Sequence, residues 1–273
     1  MKQKTEILYS FLSLLLSLVF SSCEMFEEHP YDVDIRGGRD INARNIARIE
    51  PAMDGCKTMR IAMISDTQRS LDDLKDAIKA INARDDIDFV LHGGDISDFG
   101  LTDEFEWTRD AMEKLTVPYV AVIGNHDCLG TGRDAYRGIY GEVNFAFTAG
   151  NVRFICLNTN ALEYDYSEPV PDFNFLDRQL EGFPAEAEKT VFLMHACPGS
   201  EVFNNNVMKI FQRYVNMFPQ VQFCAYGHNH QFDMSDMFGD GIIYCQCPNV
   251  AKRKYLVFTI KEEGGFDCEA VDF

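Results

Sequence analysis

The chain is short of positive charge, of tryptophan and of long uninterrupted apolar runs, and each shortage narrows what it can be. Lys and Arg total 25 against 43 Asp and Glu, a formal net charge of −18 at pH 7. That balance lacks the basic footprint needed to bind extended nucleic acid or to adhere to an anionic membrane surface. A small anionic substrate stays allowed, because a bound divalent cation inverts the local field. The run Ile7 to Phe20 is too short to span a bilayer comfortably. The single tryptophan, Trp107, falls inside a predicted helix and reads as packing rather than a ligand platform. Cysteine is present but shows no small-scaffold disulfide framework, and Cys245-Gln-Cys247 lacks the spacing of a zinc or redox pair. Several cysteines, such as Cys156 and Cys224, sit inside apolar runs, where the residue serves as a small buried hydrophobe.

What is present is ordinary for a globular protein with a sizeable core: 273 residues, 46% apolar and 25% charged. Lys2 and Lys4 precede the Ile7–Phe20 run, which suits the core of a signal peptide. The run ends in Ser21-Ser22-Cys23, which resembles the lipobox of bacterial lipoproteins, with Phe20 in the place usually held by Leu. The resemblance implies cleavage after residue 22, lipid on Cys23 and an exported, envelope-anchored protein. Residues 23–57 read as a tether, with Tyr31 to Ile35 alternating as a possible edge strand. The catalytic domain is then 58–273.

From residue 60 onward, strands and helices alternate. Strands are predicted at 60–65, 89–92 and 117–123, with helices over 71–83 and 102–115 between them. Thr102 is placed as the N-cap of the second helix. A hairpin follows around Ala149-Gly150-Asn151, then helices at 173–181 and 207–217, and a β-rich end. The pattern points to an α/β fold of two sheets between helices.

Polar blocks close the predicted strands: Asp66-Thr67-Gln68, Gly94-Asp95-Ile96-Ser97-Asp98, Gly124-Asn125-His126-Asp127, His195 and Gly227-His228-Asn229-His230. Taken singly, each has a plain structural reading. Asp66 is a turn residue or helix cap, Asn125 a turn former and His195 a satisfied core histidine. His228 and His230 alternate, so both reach one ligand only if the chain turns at Gly227. His92 and Asp127 read as supporting residues. Taken together, five blocks in this order resemble the calcineurin-like metallophosphoesterase family over about residues 60–230.

That resemblance implies a four-layer α/β/β/α sandwich, two mixed sheets flanked by helices, with two divalent metal ions between them. It assigns Asp66, Gln68, Asp95 and His230 to one ion and Asp95, Asn125, His195 and His228 to the other. His126 becomes the acid that protonates the leaving group, and Asp98 the carboxylate that orients it. The donor chemistry suits zinc, iron, manganese or nickel, and such a pair can clamp a phosphoryl group for in-line displacement by a shared hydroxide. Gln68 departs from the family's usual histidine, and Asp98 stands where purple acid phosphatases carry tyrosine.

Substrate contacts are expected from the segment Cys128 to Gly141, read as a flexible loop carrying Arg133 and Arg137, and from Asn158 at a strand end. The aromatic stretch 164–171 reads as a stacking loop or a lid. The expected activity is hydrolysis of phosphate mono- or diesters of a small phosphorylated substrate, with membrane contact through the lipid anchor alone. The alternative is a non-catalytic binding lipoprotein with a degraded site, favoured only by Gln68. Oligomeric state is left open.

Overall fold

The computed structural model describes residue 11, residues 29–165 and residues 167–273. The signal run and the lipid-attachment site at Cys23 lie outside the described residues, apart from Phe11. Strands are numbered in chain order. The first sheet holds β1 (Met59–Ile64), β2 (Phe89–His92) and β3 (Tyr119–Ala121) in parallel. It continues antiparallel through β10 (Lys254–Ile260) and β11 (Phe266–Asp272), giving the order β11-β10-β1-β2-β3. The second sheet is β4-β5-β6-β7-β9-β8. In it β5 (Val152–Leu157), β6 (Lys189–Met194), β7 (Val221–Tyr226) and β9 (Tyr244–Gln246) are parallel, while β4 (Phe145–Ala149) and β8 (Asp233–Ser235) close the edges antiparallel.

Each parallel strand is apolar on both faces, and its two-residue period divides it between two cores. In β1, Ile61 and Met63 face the second sheet, whereas Ala62 and Ile64 face helices. In β6, Val191 and Leu193 face the first sheet, whereas Phe192 and Met194 turn outward. The inter-sheet core is aromatic, with Phe223 of β7 stacked on Phe258 of β10 at 4.3 Å between ring centroids. Helices α2 (Leu71–Asn82), α3 (Thr102–Met112) and α4 (Gly132–Ile139) cover the first sheet through Leu74, Ile78, Phe105 and Tyr136. Helices α5 (Phe173–Glu181) and α6 (Met208–Met217) cover the second through Leu176, Phe211 and Val215. The four-layer sandwich with two mixed sheets is therefore the fold.

Three local expectations change. The stretch 23–57 is not all tether: α1 (Ile41–Ala52) is a helix with Ile41 and Ile49 buried. Its Asn42 bonds the edge strand both ways, Nδ2 donating to Ala121 O and Oδ1 accepting from Ala121 N, each at 2.9 Å. That satisfies and blunts the open edge of β3. Residues 31–35 form no edge strand, because their carbonyls go to side chains instead: Thr131 Oγ1 donates to Tyr31 O and Thr102 Oγ1 to Asp32 O. Thr102 is accordingly the first residue of α3 and not its cap, which is Leu101. The eight described cysteines are free, and five of them are buried. No helix among the described residues is long and apolar enough to cross a membrane.

Candidate metal centre

The parallel strands β1, β2, β3, β6 and β7 all deliver their polar blocks at their carboxyl ends, where open α/β sheets place ligand sites. The turns there are tight enough to hold non-glycine residues in the left-handed region. Asp66, Arg69, Asp95, His228 and His230 all lie at φ between 54° and 71°. Strained backbone of this kind persists when the surroundings over-determine it, and it gathers at functional sites. Glycine makes the close approach possible. A Cβ on Gly124 would strike the Asp95 backbone nitrogen and Oδ1, and one on Gly227 would strike Ser65 Oγ and Asp66 Oδ2. The turn expected at Gly227 is present, and it brings both following histidines to the cluster.

Two buried side chains tie the loops together. His92 accepts from Gly94 N–H at Nδ1 (3.2 Å), so Nε2 carries the hydrogen donated to Thr67 Oγ1 at 2.9 Å. Burial lowers this imidazole to about 4, which keeps it neutral. Asp127 accepts at Oδ1 from the backbone N–H of Ile96 and Ser97 and from Ser97 Oγ, and at Oδ2 from Gly124 N–H. Burial, reinforced by the Asp95 charge, pushes its carboxyl up to about 6. Both act as supports and not as ligands.

All seven expected ligand residues converge, and they do so around Asp95. On one side stand Asp66, Asp95 and His230, whose ligand atoms all lie within 4.8 Å of one another. His230 Nε2 is 3.2 Å from Asp66 Oδ1. Gln68 joins them, its Nε2 3.2 Å from Asp95 Oδ2, while its buried Oε1 has no hydrogen-bond partner. On the other side, Asn125 Oδ1 lies 3.0 Å from both His195 Nε2 and His228 Nδ1, and His195 Nε2 is 3.3 Å from Asp95 Oδ1.

The hydrogen-bond bookkeeping shows what the cluster lacks. His195 Nδ1 donates to Gly93 O at 2.7 Å, so in the neutral ring Nε2 is a bare lone pair facing two more acceptors. His228 Nε2 faces Glu201 Oε1 at 3.3 Å, which leaves Nδ1 for the Asn125 oxygen. Acceptors pointed at acceptors are stable only around a cation, either a proton or a metal. Burial lowers the basicity of His195, but the charge and hydrogen bond of Asp95, the Asp66 charge and the Gly93 carbonyl together outweigh it and raise the imidazole to about 10. A backbone carbonyl and a carboxylate behind ligand histidines are the supports that metal sites use to fix tautomer and direction. The residues therefore fit a hard or borderline divalent cation, with Asp95 able to bridge two.

His126 stands beside the cluster, half-buried. Its Nδ1 lies 2.8 Å from the Asp98 carbonyl and 3.4 Å from Asp98 Oδ1, so Nδ1 carries hydrogen and Nε2 is the outward atom. Asp98 is held in turn by Arg69, whose Nε donates to Oδ2 at 2.6 Å. Arg69 and Glu201 are the two site residues the sequence reading did not name. Arg69 follows Gln68 directly, but a lone arginine in a turn carries no pattern, and nothing near Glu201 marks it.

The expected substrate residues are arranged otherwise. The segment after His126 is not a flexible loop: it forms a 3₁₀ turn at His126–Cys128 and then α4, with Ala135, Tyr136 and Ile139 buried. Gly130 and Gly132 conceal that helical period. Arg133 pairs with Glu168 at 2.6 Å and stacks on Tyr164 at 4.9 Å, and Arg137 pairs with Glu142 at 3.6 Å. The Asn158 side chain serves Asn160 and Tyr164. All three side chains thus have partners within the protein, and Tyr164 packs against Arg133 of α4.

The sequence profile of the calcineurin-like phosphoesterase family matches residues 59–232. The chain belongs to that family. A 3',5'-cyclic-nucleotide phosphodiesterase of Nostoc is 25% identical over 183 residues, covering 64% of this chain and 66% of that protein. A dimetal phosphatase from Danio rerio superposes with a TM-score of 0.60 at 12% identity, over 79% of this chain and 99% of the other. GAP50, the anchor in the inner membrane complex of Plasmodium, superposes with a TM-score of 0.58 at 12% identity, over 79% and 84%. At such identities the two structures share the fold alone, and it is carried both by a phosphatase and by an anchor. Membership of the family and the likeness to a phosphodiesterase support a phosphoester hydrolase.

Proposed function

We propose that the protein hydrolyses phosphate esters at a centre of two divalent ions, one held by Asp66, Gln68, Asp95 and His230 and the other by Asp95, Asn125, His195 and His228. The observation that carries this reading is the convergence of His195 Nε2, Asn125 Oδ1 and Asp95 Oδ1, which in the neutral state have no donor among them. Ions bound there would lower the pKa of water and neutralise phosphoryl oxygens. His126, its Nδ1–H fixed by Asp98, presents Nε2 to the departing oxygen and gives it a proton. Asp98 stabilises the imidazolium, and Arg69 fixes Asp98. Asp127 and His92 hold the three loops that set these distances. The Nostoc relative favours a diester substrate. Lys2, Lys4, the Ile7–Phe20 run and Ser21-Ser22-Cys23 support export and a lipid anchor on Cys23.

The test is release of p-nitrophenol from its phosphate monoester and diester after the soluble domain is reloaded with zinc, manganese, iron or nickel. His126→Ala should lower turnover by about 10²–10⁴-fold with metal content intact. Equal rates would reject the acid role. No turnover of either ester with any metal would reject the hydrolase reading in favour of a binding protein.

A further inference from the structure

A second cleft opens against the ligand cluster, and nothing above uses it. Its volume is about 280 Å³, and Gln68, Arg69, Leu71, Ile96, Asp98 and Trp107 line it. One wall belongs to the candidate centre, since Gln68 bonds Asp95 and Asp98 lies against His126. The lining also includes the apolar side chains of Leu71 and Ile96 and the indole of Trp107, which is 57% exposed. Phe99, also exposed, lies beside the entrance with the Arg69 guanidinium 5.9 Å over its ring.

Several polar groups of this cleft are already committed. Glu104 Oε2 accepts from the backbone N–H of Asp98, Phe99 and Leu101. Thr108 Oγ1 donates to Ile96 O. Arg69 gives Nε to Asp98, but among the described residues its two Nη groups meet no acceptor. The cleft thus offers an aromatic face and two unspent guanidinium donors next to the group that protonates the leaving oxygen. Aromatic rings and guanidinium planes receive flat rings by stacking. The volume lies just below the usual range for small-molecule sites, which suits one nucleoside or aryl alcohol and no polymer.

We propose that this cleft seats the leaving group of the substrate, and that the leaving group is an alcohol carrying a flat heteroaromatic ring, as a nucleoside does. The ring lies on Trp107, a hydroxyl or ring acceptor meets the Arg69 Nη groups, and the ester oxygen falls at His126. Hydrolysis breaks the P–O bond on that side, and its electron pair stays on the departing oxygen. His126 supplies the proton there, while water supplies the new oxygen on phosphorus and returns a proton to solvent. The assignment rests on the hydrolase reading, since the leaving side is defined by His126.

Trp107 is the chain's single tryptophan, so its fluorescence reports on the cleft without any need for turnover. The full-length protein is titrated with adenosine and, as a ringless alcohol, with glycerol. Adenosine should quench the emission saturably and glycerol should leave it unchanged. Arg69→Gln should weaken adenosine about tenfold, as expected for one lost hydrogen bond. In parallel, Trp107→Leu should lower the ratio of kcat/KM for a nucleoside ester over a glycerol ester, again by about tenfold. Absence of saturable quenching, with nucleoside and glycerol esters cleaved equally well, overturns the cleft assignment and leaves the hydrolase reading standing. Saturable quenching by adenosine with no ester cleaved after metal loading overturns the hydrolase reading and the leaving-group role together, leaving a nucleoside-binding cleft.

Discussion

The strand-end cluster and the arginine-lined cavity at α4 are both built from charged and amide side chains, yet they are balanced in opposite ways. In the cavity, about 210 Å³ in volume, each cation has its own carboxylate: Arg133 with Glu168, Arg137 with Glu142 and Arg178 with Asp172. In the cluster, His195 Nε2, Asn125 Oδ1 and Asp95 Oδ1 converge with no donor among them in the neutral state. A balanced set needs nothing further and contributes little, because exposed ion pairs are worth about 0.2–1 kcal/mol. An unbalanced buried set costs free energy until a cation fills it. Local charge balance, more than residue type, separates a binding centre from a decorated surface.

The comparison breaks most sharply at Asp95. Replacing it with Asn removes the shared charge of both ion positions, and turnover should fall by more than about 10³-fold as both metal clamps are lost. Steady-state kinetics beside elemental analysis checks this, and a variant that keeps its metals and its rate defeats the scheme. Asp98→Asn keeps the shape but removes the charge facing His126, so kcat should drop by about 10²-fold with metal content unchanged. Asp127→Asn puts an amide NH₂ against one of four donors, and thermal unfolding should show a loss of about 1–3 kcal/mol.

His92 gives a pH signature. Its folded value of about 4 lies below the unfolded value near 6.5, so the unfolded chain binds the proton first. Stability from this residue is complete above about pH 6.5 and is lost as pH falls toward 4, on the order of 3 kcal/mol over the window. The unfolding midpoint of His92→Gln should vary less with pH across that window than the parent's. The smallest effect belongs to the cavity: Arg133→Gln with Arg137→Gln should change stability by about 1 kcal/mol or less and leave turnover within a few-fold. A large loss of turnover would return these arginines to the substrate site.

How much was legible in the sequence follows from how far each signal reaches along the chain. Blocks at strand ends are local, so Asp66, Asp95, Asn125 and His195 could be placed from an apolar run and the polar residue closing it. The layers followed for the same reason, since strands apolar on both faces must be covered twice. Helix α1 escaped notice because its contribution is long-range, through Asn42 reaching Ala121. Helix α4 escaped because two glycines precede its buried face. Arg69 escaped because its role lies in a contact with Asp98, 29 residues away. The partners of Arg133, Arg137 and Asn158 could not be read either, since residue type announces a polar group but not what it meets.

The most direct measurement is metal binding by calorimetry on the stripped protein, repeated in buffers of different ionisation enthalpy. The account predicts two ions per chain in the parent protein and the loss of at least one in Asp95→Asn. Because Asp95, Asp66 and the Gly93 carbonyl together hold His195 protonated up to about 10 in the metal-free state, binding at neutral pH should also release protons. No binding, or equal binding without proton release in parent and variant, would contradict it.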